Sequence, residues 1–328
     1  MSLATRWHYF RRIFRTYLGS GRSQLTFWHE APEINPRANA SRLGEYYMLF
    51  REKADYAGRY DAAGIPMLDY HGVIGLQYNP IAIAQWGLAN YNRFCETSDE
   101  ARWQKTLMAA DWLAANLEQN AHGLWVWNHH FEWEYRDTLK APWYSGLAQG
   151  QGVSLLLRAH AHAHSEDEKY QRAAEKAFVA LTRPIAEGGV LFEDEEKNLW
   201  IEEYLVDPPT HILNGFLWAI WGVRDYAVAS DTRAAWALLR ACGRTLQRNL
   251  PAFDCGFWSL YEQSGTRLPM LASPFYHGLH VNQLGITARL LDQPELLDWA
   301  ERWRGYASNG WCRKRAVVQK ALFKALYY

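Results

Sequence analysis

The run Trp200-Ile201-Glu202-Glu203-Tyr204 places two carboxyl groups between large rings. Tyr261 follows downstream, and then Tyr276-His277-Gly278-Leu279-His280-Val281-Asn282-Gln283. Carboxyl, phenol and imidazole groups exchange protons, and aromatic faces bind pyranose rings, so this set suits acid–base work on a sugar. A Glu held against rings is desolvated, which raises its pKa toward neutrality. Pro208-Pro209 stiffens the chain beyond it, with a helix expected from about Thr210. The competing reading is a solvated acidic loop and ordinary polarity at helix starts.

Other polar groupings carry less. His277 and His280 share a helix face at i, i+3, but no further ligands can be identified, so no metal is expected. His160 and His164 stand one turn apart without an intervening Glu and read as a helix C-terminus, where His favours the dipole. Gly146, Gly150 and Gly152 open a helix after Trp143-Tyr144 and allow either a neighbouring helix or a ligand to approach the backbone. Dinucleotide, P-loop and nucleophile-elbow motifs are absent, so no cofactor is expected.

The bulk composition narrows the partners. The 328 residues carry 35 basic and 35 acidic side chains, which gives no nucleic-acid signature. An anionic substrate must therefore meet local groups. The 17 Trp and 19 Tyr fit either a wide helical core or a cleft lined by rings. Cys95, Cys242, Cys255 and Cys312 lie too far apart for a disulfide framework or a zinc site and read as cytoplasmic thiols. Arg11, Arg12 and Arg15 interrupt the leader, and no apolar run is long enough to span a bilayer, so no export signal is expected. Residues 1–40 form a basic aromatic arm and residues 308–328 a basic amphipathic tail. Each either lies on a membrane surface or docks on its own domain.

The elements that must position these groups are mostly helical. Residues 41–80 read as extended chain and turns, and apolar steps of three and four predict about eight helices from 81 to 307. They fall near 81–95, 101–119, 145–163, 167–186, 210–228, 232–249, 276–292 and 295–307. Short apolar runs after Gly123, Gly189 and Gly256 predict β-hairpins capping the helical hairpins. The expected fold is mainly α, an (α/α) toroid over residues 41–307 whose loops converge on one mouth.

Four blocks then resemble the D-glucuronyl C5-epimerases, in family order. They are Tyr78-Asn79-Pro80-Ile81-Ala82-Ile83-Ala84-Gln85-Trp86-Gly87-Leu88, Trp143 to Gln151, Glu202-Glu203-Tyr204 with His211 to Phe216, and Tyr276-His277 through Leu284. The resemblance covers roughly residues 40–307, and the stretch from Tyr46 to Gly87 is similar to bacterial members. It implies conversion of glucuronate to iduronate within an anionic polysaccharide such as heparosan, by removal of the C5 proton and its return on the opposite face. By this resemblance Glu203 and Tyr276 exchange the proton, in an order left open, and Tyr204 and Tyr261 hydrogen-bond the substrate carboxylate. Tyr78, Asn79, Gln85, Tyr144, Gln149, Gln151, Asn214, His277, His280 and Asn282 are the expected substrate-binding groups. A two-fold homodimer is a further expectation.

Two departures qualify this. The β-rich domain of the animal enzymes is replaced by the short link Arg93 to Arg102. Their Tyr-Asp-Leu-Arg reads Tyr261-Glu262-Gln263-Ser264 here, so the cation for the anionic chain must be Arg267 or another residue. A uronate lyase and a non-catalytic polysaccharide-binding module stay open as alternatives.

Overall fold

Side-chain caps start three of the helices at Asn79, Asp99 and Ser273, close to where the apolar periodicity begins. The computed structural model describes residues 27–163 and 168–327; the arm through residue 26, the segment 164–167 with His164, and Tyr328 lie outside the described residues. After a short helix α1 (Arg51–Ala54), the chain forms α2 (Pro80–Thr97), α3 (Glu100–Ala115), α4 (Gly146–Ala163) and α5 (Lys169–Leu181). It continues with α6 (Leu213–Ser230), α7 (Arg233–Asn249), α8 (Pro274–Leu291), α9 (Glu295–Ser308) and α10 (Gly310–Tyr327). Asn79 caps α2 by accepting from Ile81 N and Ala82 N, and Ser273 caps α8 by accepting from Tyr276 N. Pro80 and Pro274 occupy first turns, where a missing N–H costs nothing.

The molecule is mainly helical, and the helices α2 to α9 match the eight expected segments closely. They pair as α2–α3, α4–α5, α6–α7 and α8–α9, with α2, α4, α6 and α8 touching in sequence as an inner row. The inner helices are buried nearly all round: every residue from Gly146 to Ala159 and from Leu213 to Asp225 is buried. Outer helices α5 and α7 bury only one face. Gly150 and Gly222 let α4 and α6 cross at backbone contact, since a Cβ on Gly222 would stand 2.3 Å from Gly150 O.

Residues 31–50 run as irregular chain, with a turn near residue 36, between α2 and α8. Asn92 of α2 accepts from Tyr46 N (2.6 Å) and donates to Met48 O (2.8 Å), while Asn282 of α8 donates to Pro32 O (2.6 Å). Tyr46 stacks on Trp218, and Arg158 pairs with Asp225 at 2.5 Å in full burial, tying α4, α6 and this segment together. Beyond residue 308, helix α10 packs on Phe257, Trp258 and Leu271.

Small antiparallel sheets decorate the helices. β1 (Arg59–Tyr60), β2 (Pro66–Asp69) and β3 (Leu76–Gln77) form one sheet. β4 (Glu118–Gln119) pairs with β5 (Trp125–Val126), β6 (Trp133–Glu134) with β7 (Thr138–Leu139), and β8 (Leu191–Glu193) with β9 (Leu199–Ile201). The hairpins expected at Gly123 and Gly189 are present. The one expected at Gly256 is not: only the bridges Asp254–Ser259 and Leu260–Leu271 form there, because Trp258 turns inward to stack on His277.

Candidate active site

Strand β9 ends at Ile201 and delivers two adjacent carboxyl groups to different tasks. Glu202 is buried, receives His211 N (3.1 Å) and faces His211 Nδ1 at 2.5 Å, with Trp200 stacked on that imidazole at 4.2 Å. Its carbonyl accepts from Gly146 N at the start of α4 (2.9 Å). Glu202 is thus consumed in holding the segment. Glu203 is left against the first turn of α6, where Asn214 Nδ2 lies 3.5 Å from Oε2 and Gly215 offers the space its carboxylate fills.

Burial pushes the Glu203 carboxyl up to about 8. A hydrogen bond with Tyr204 opposes the rise, and the charges of Glu262 and Glu202 add to it. At neutral pH Glu203 therefore carries a proton that it can give up and regain within a narrow pH span. Burial, reinforced by the Glu203 charge, holds the phenols of Tyr204 and Tyr261 well above their usual value, so both stay hydrogen-bond donors. The Tyr204 ring packs on Tyr135 (4.7 Å between centroids) and edge-on to Trp143 (5.6 Å), and Tyr261 meets Tyr276 edge-on at 5.0 Å. Tyr135 Oη in turn hydrogen-bonds the buried carboxylate of Glu262 and reaches Thr210 Oγ1 at 3.0 Å.

Glu203, Tyr204 and Tyr276 line one cavity of about 180 Å³, together with Asn79, Gln85 and Asn214. That volume is below the roughly 300 Å³ at which pockets for drug-sized ligands begin. Trp28, Tyr70, Trp133, Trp143 and Trp218 give the wall its aromatic character.

The sequence reading missed two charged groups here. Lys53 from α1 and Glu30 from the N-terminal segment both line the cavity. Their charged atoms stand 3.5 Å apart, and Lys53 Nζ also donates to Phe27 O and lies over the Phe27 and Phe50 rings at 4.7 and 5.3 Å. Burial lowers the Lys53 ammonium to about 8, against the pull of Glu30, and burial raises the Glu30 carboxyl. Among the described residues of the cavity wall, Lys53 is the only lysine or arginine. Arg267, the alternative cation, is exposed and outside the wall. The run Arg51-Glu52-Lys53 reads as a solvated charge cluster, and only a buried, aromatic-flanked Lys53 reveals otherwise.

Several expected substrate groups are placed elsewhere, each with a partner that accounts for it. Tyr78 is surface-exposed and donates to Asp61 (2.6 Å), and Tyr144 donates to Gly188 O (2.9 Å). Gln149 accepts from Trp127 N (3.0 Å) and donates to Ala177 O (2.9 Å), pinning the β4–β5 hairpin to α4 and α5. Gln151 lies behind Gln85, accepting from it at 3.0 Å. His277 and His280 are fully buried around Ser259 Oγ (2.8 and 3.1 Å), with His277 stacked on Trp258 and bonded to Trp303 O (2.8 Å). Asn282 holds Pro32. Tyr261 stands behind Tyr276 rather than on the wall.

The D-glucuronyl C5-epimerase C-terminus family matches residues 119–305, more than half of the chain. The D-glucuronyl C5-epimerase of Caenorhabditis elegans is 35% identical over 215 residues, which cover 61% of this chain and 34% of the worm protein. An uncharacterized protein of Methanocaldococcus jannaschii is 27% identical over 198 residues, covering 60% of this chain and 62% of its own. Among solved structures, the unsaturated glucuronyl hydrolase of Bacillus sp. GL1 aligns with a TM-score of 0.46 at 16% identity, covering 68% of this chain and 62% of that one. The fold and site define a mainly helical protein with a ring-walled cavity that holds a buried carboxyl group and phenols. The chain belongs to the D-glucuronyl C5-epimerase family, in its C-terminal region. It spans about a third of the worm enzyme's length.

Proposed function

We propose that this protein epimerises uronate residues at C5 within an anionic polysaccharide, converting D-glucuronate to L-iduronate. In this reading the helical hairpins close into an (α/α) toroid with the cavity at its mouth, and two copies associate. The observation that carries the proposal is Glu203, a carboxyl raised to about 8 in a ring-walled cavity shared with Tyr276 and one cation.

A proton next to a carboxylate is poorly acidic, so its removal needs charge stabilisation as well as a base. Lys53 supplies positive charge for the uronate carboxylate and takes the part of the arginine missing after Tyr261. Tyr204, protonated and inside the cavity, donates to the enediolate oxygen that gains charge. Glu203 and Tyr276 exchange the C5 proton, and the aromatic wall holds the ring between them while excluding water. Tyr261 acts through Tyr276, fixing its ring from behind.

The test is deuterium uptake at uronate C5 in heavy water, with heparosan and other glucuronate polymers. Uptake with new iduronate and no unsaturated ends supports the proposal. Unsaturated ends would assign C5 proton abstraction to a lyase, and no exchange with any polymer would leave a binding role.

A further inference from the structure

Helix α10 has one face committed to the domain and another that none of the described residues covers. Ala316, Lys320 and Phe323 are buried, and Ala316 packs with Phe257, Trp258 and Leu271 while Lys320 Nζ donates to Leu271 O at 2.5 Å. On the outer face Trp311, Val318, Leu322 and Leu326 are 67%, 59%, 54% and 70% exposed. Their spacing of seven, four and four residues sets them on one stripe of the helix. With Leu268 the stripe borders an open groove of about 480 Å³ whose remaining wall includes Lys314 and Arg315.

The charge on this helix is of one sign. From Gly310 to Tyr327 the sequence carries Arg313, Lys314, Arg315, Lys320 and Lys324 and no acid. Arg313, Lys314 and Arg315 are exposed, and Arg315 is held over the rings of Phe257 (3.9 Å) and Trp311 (5.7 Å) at the edge of the stripe. An exposed apolar stripe flanked by cations, with Trp at one end, is the composition of a helix lying in a lipid headgroup layer. No helix among the described residues is long and apolar enough to cross a membrane.

We propose that the outer face of α10 docks the protein on a membrane surface rich in anionic lipids. The charge pattern selects this occupant over the others. A second copy packed on this face would add the same cations with no acid on either helix to offset them, and an acidic polysaccharide leaves Val318, Leu322 and Leu326 wet. The docked helix braces the segment that carries Tyr261, through Lys320, whose ammonium lies 6.0 Å from the Tyr261 ring. The loop that carries Tyr261 is thereby held on the side of the domain that faces the lipid.

The experiment is flotation of the full chain with vesicles of phosphatidylcholine alone and with about a third phosphatidylserine, at low and high salt. Two surface variants are compared, the apolar triple Val318→Ser, Leu322→Ser, Leu326→Ser and the charge pair Lys314→Gln, Arg315→Gln. Binding to the anionic vesicles alone, weakened at least about tenfold by either variant and by high salt, is the expected result. Unchanged thermal melting and unchanged C5 exchange on soluble polymer would show that the variants fold. Absence of binding to anionic vesicles, or binding indifferent to both variants, overturns the proposal. So does a native dimer that the apolar triple converts to monomer, or polymer affinity that falls in the charge pair while vesicle binding stays intact.

Discussion

Gly215 stands where a side chain would collide with Glu203: a Cβ there would lie 2.2 Å from Glu203 Oε2 and 2.7 Å from its Cβ. The first turn of α6 is therefore shaped around the carboxylate. Gly215→Ala should fold with a stability loss of about 1–3 kcal/mol, the usual size of overpacking, yet lose roughly a hundredfold in turnover through a displaced acid–base group. C5 exchange rates beside a urea melt separate the two effects. Wild-type turnover in a folded Gly215→Ala protein would mean that Glu203 does not need its present position.

Glu203 also ties stability to pH. Its folded-state pKa of about 8 is raised above the 4.5 ordinary for a glutamate, so the folded protein retains a proton that the unfolded chain has lost between those values. This contribution is fully present below about pH 4.5 and fades as pH rises toward 8. Glu203→Gln removes the titration and should be the more stable protein at pH 8, by a few kcal/mol, while losing proton exchange. Chemical denaturation of both proteins at pH 5 and pH 8.5 measures the difference; equal pH slopes would refute the assignment of this carboxyl.

Lys53 predicts a second pH effect, on binding. Its ammonium is lowered to about 8, so the charge offered to a uronate carboxylate disappears as pH climbs past that value. Substrate affinity should fall on the alkaline side, and Lys53→Arg, which stays charged, should shift that limb upward. Lys53→Met keeps the bulk and drops the charge, and should weaken binding about 10- to 100-fold, the range expected for a hydrogen bond to a charged group. Calorimetric titration with a glucuronate oligosaccharide reads all three. Equal affinity in wild type and Lys53→Met would remove Lys53 from substrate recognition.

The sequence made the helices legible because their apolar spacing is regular, and the structure moves few ends by more than two or three residues. The candidate site was legible where chemistry and burial coincide, as at Glu203, Tyr204 and Tyr276, which meet in one cavity. Asn79, Gln85 and Asn214 reach the same wall. His277, His280 and Gln149 are polar groups at helix beginnings that serve packing, because backbone donors and carbonyls from neighbouring hairpins need partners there. Glu30 and Lys53 were hidden for the opposite reason. They come from aperiodic chain whose charges look solvated, and only the path of residues 27–55 across the helical rows brings them to the cavity.

Asn282 offers a separate way to distinguish a contact with substrate from a contact with the protein itself. It donates to Pro32 O at 2.6 Å and so anchors the strip Trp28 to Pro32, which forms one side of the cavity. Asn282→Ala removes that hydrogen bond, worth about 1 kcal/mol, and loosens the strip on α8, where His29 still packs on Phe275 at 5.0 Å. The expected result is a KM raised about fivefold with kcat within about twofold of wild type, because the groups that exchange the proton stay in place. Asn282→Ser or Asn282→His, which keep a donor, should recover part of the loss. A fall in kcat with KM unchanged would instead put Asn282 in contact with the reacting sugar, and the strip's position would then rest on its other contacts, such as the hydrogen bond that Glu52 N donates to Glu30 Oε1 at 2.6 Å.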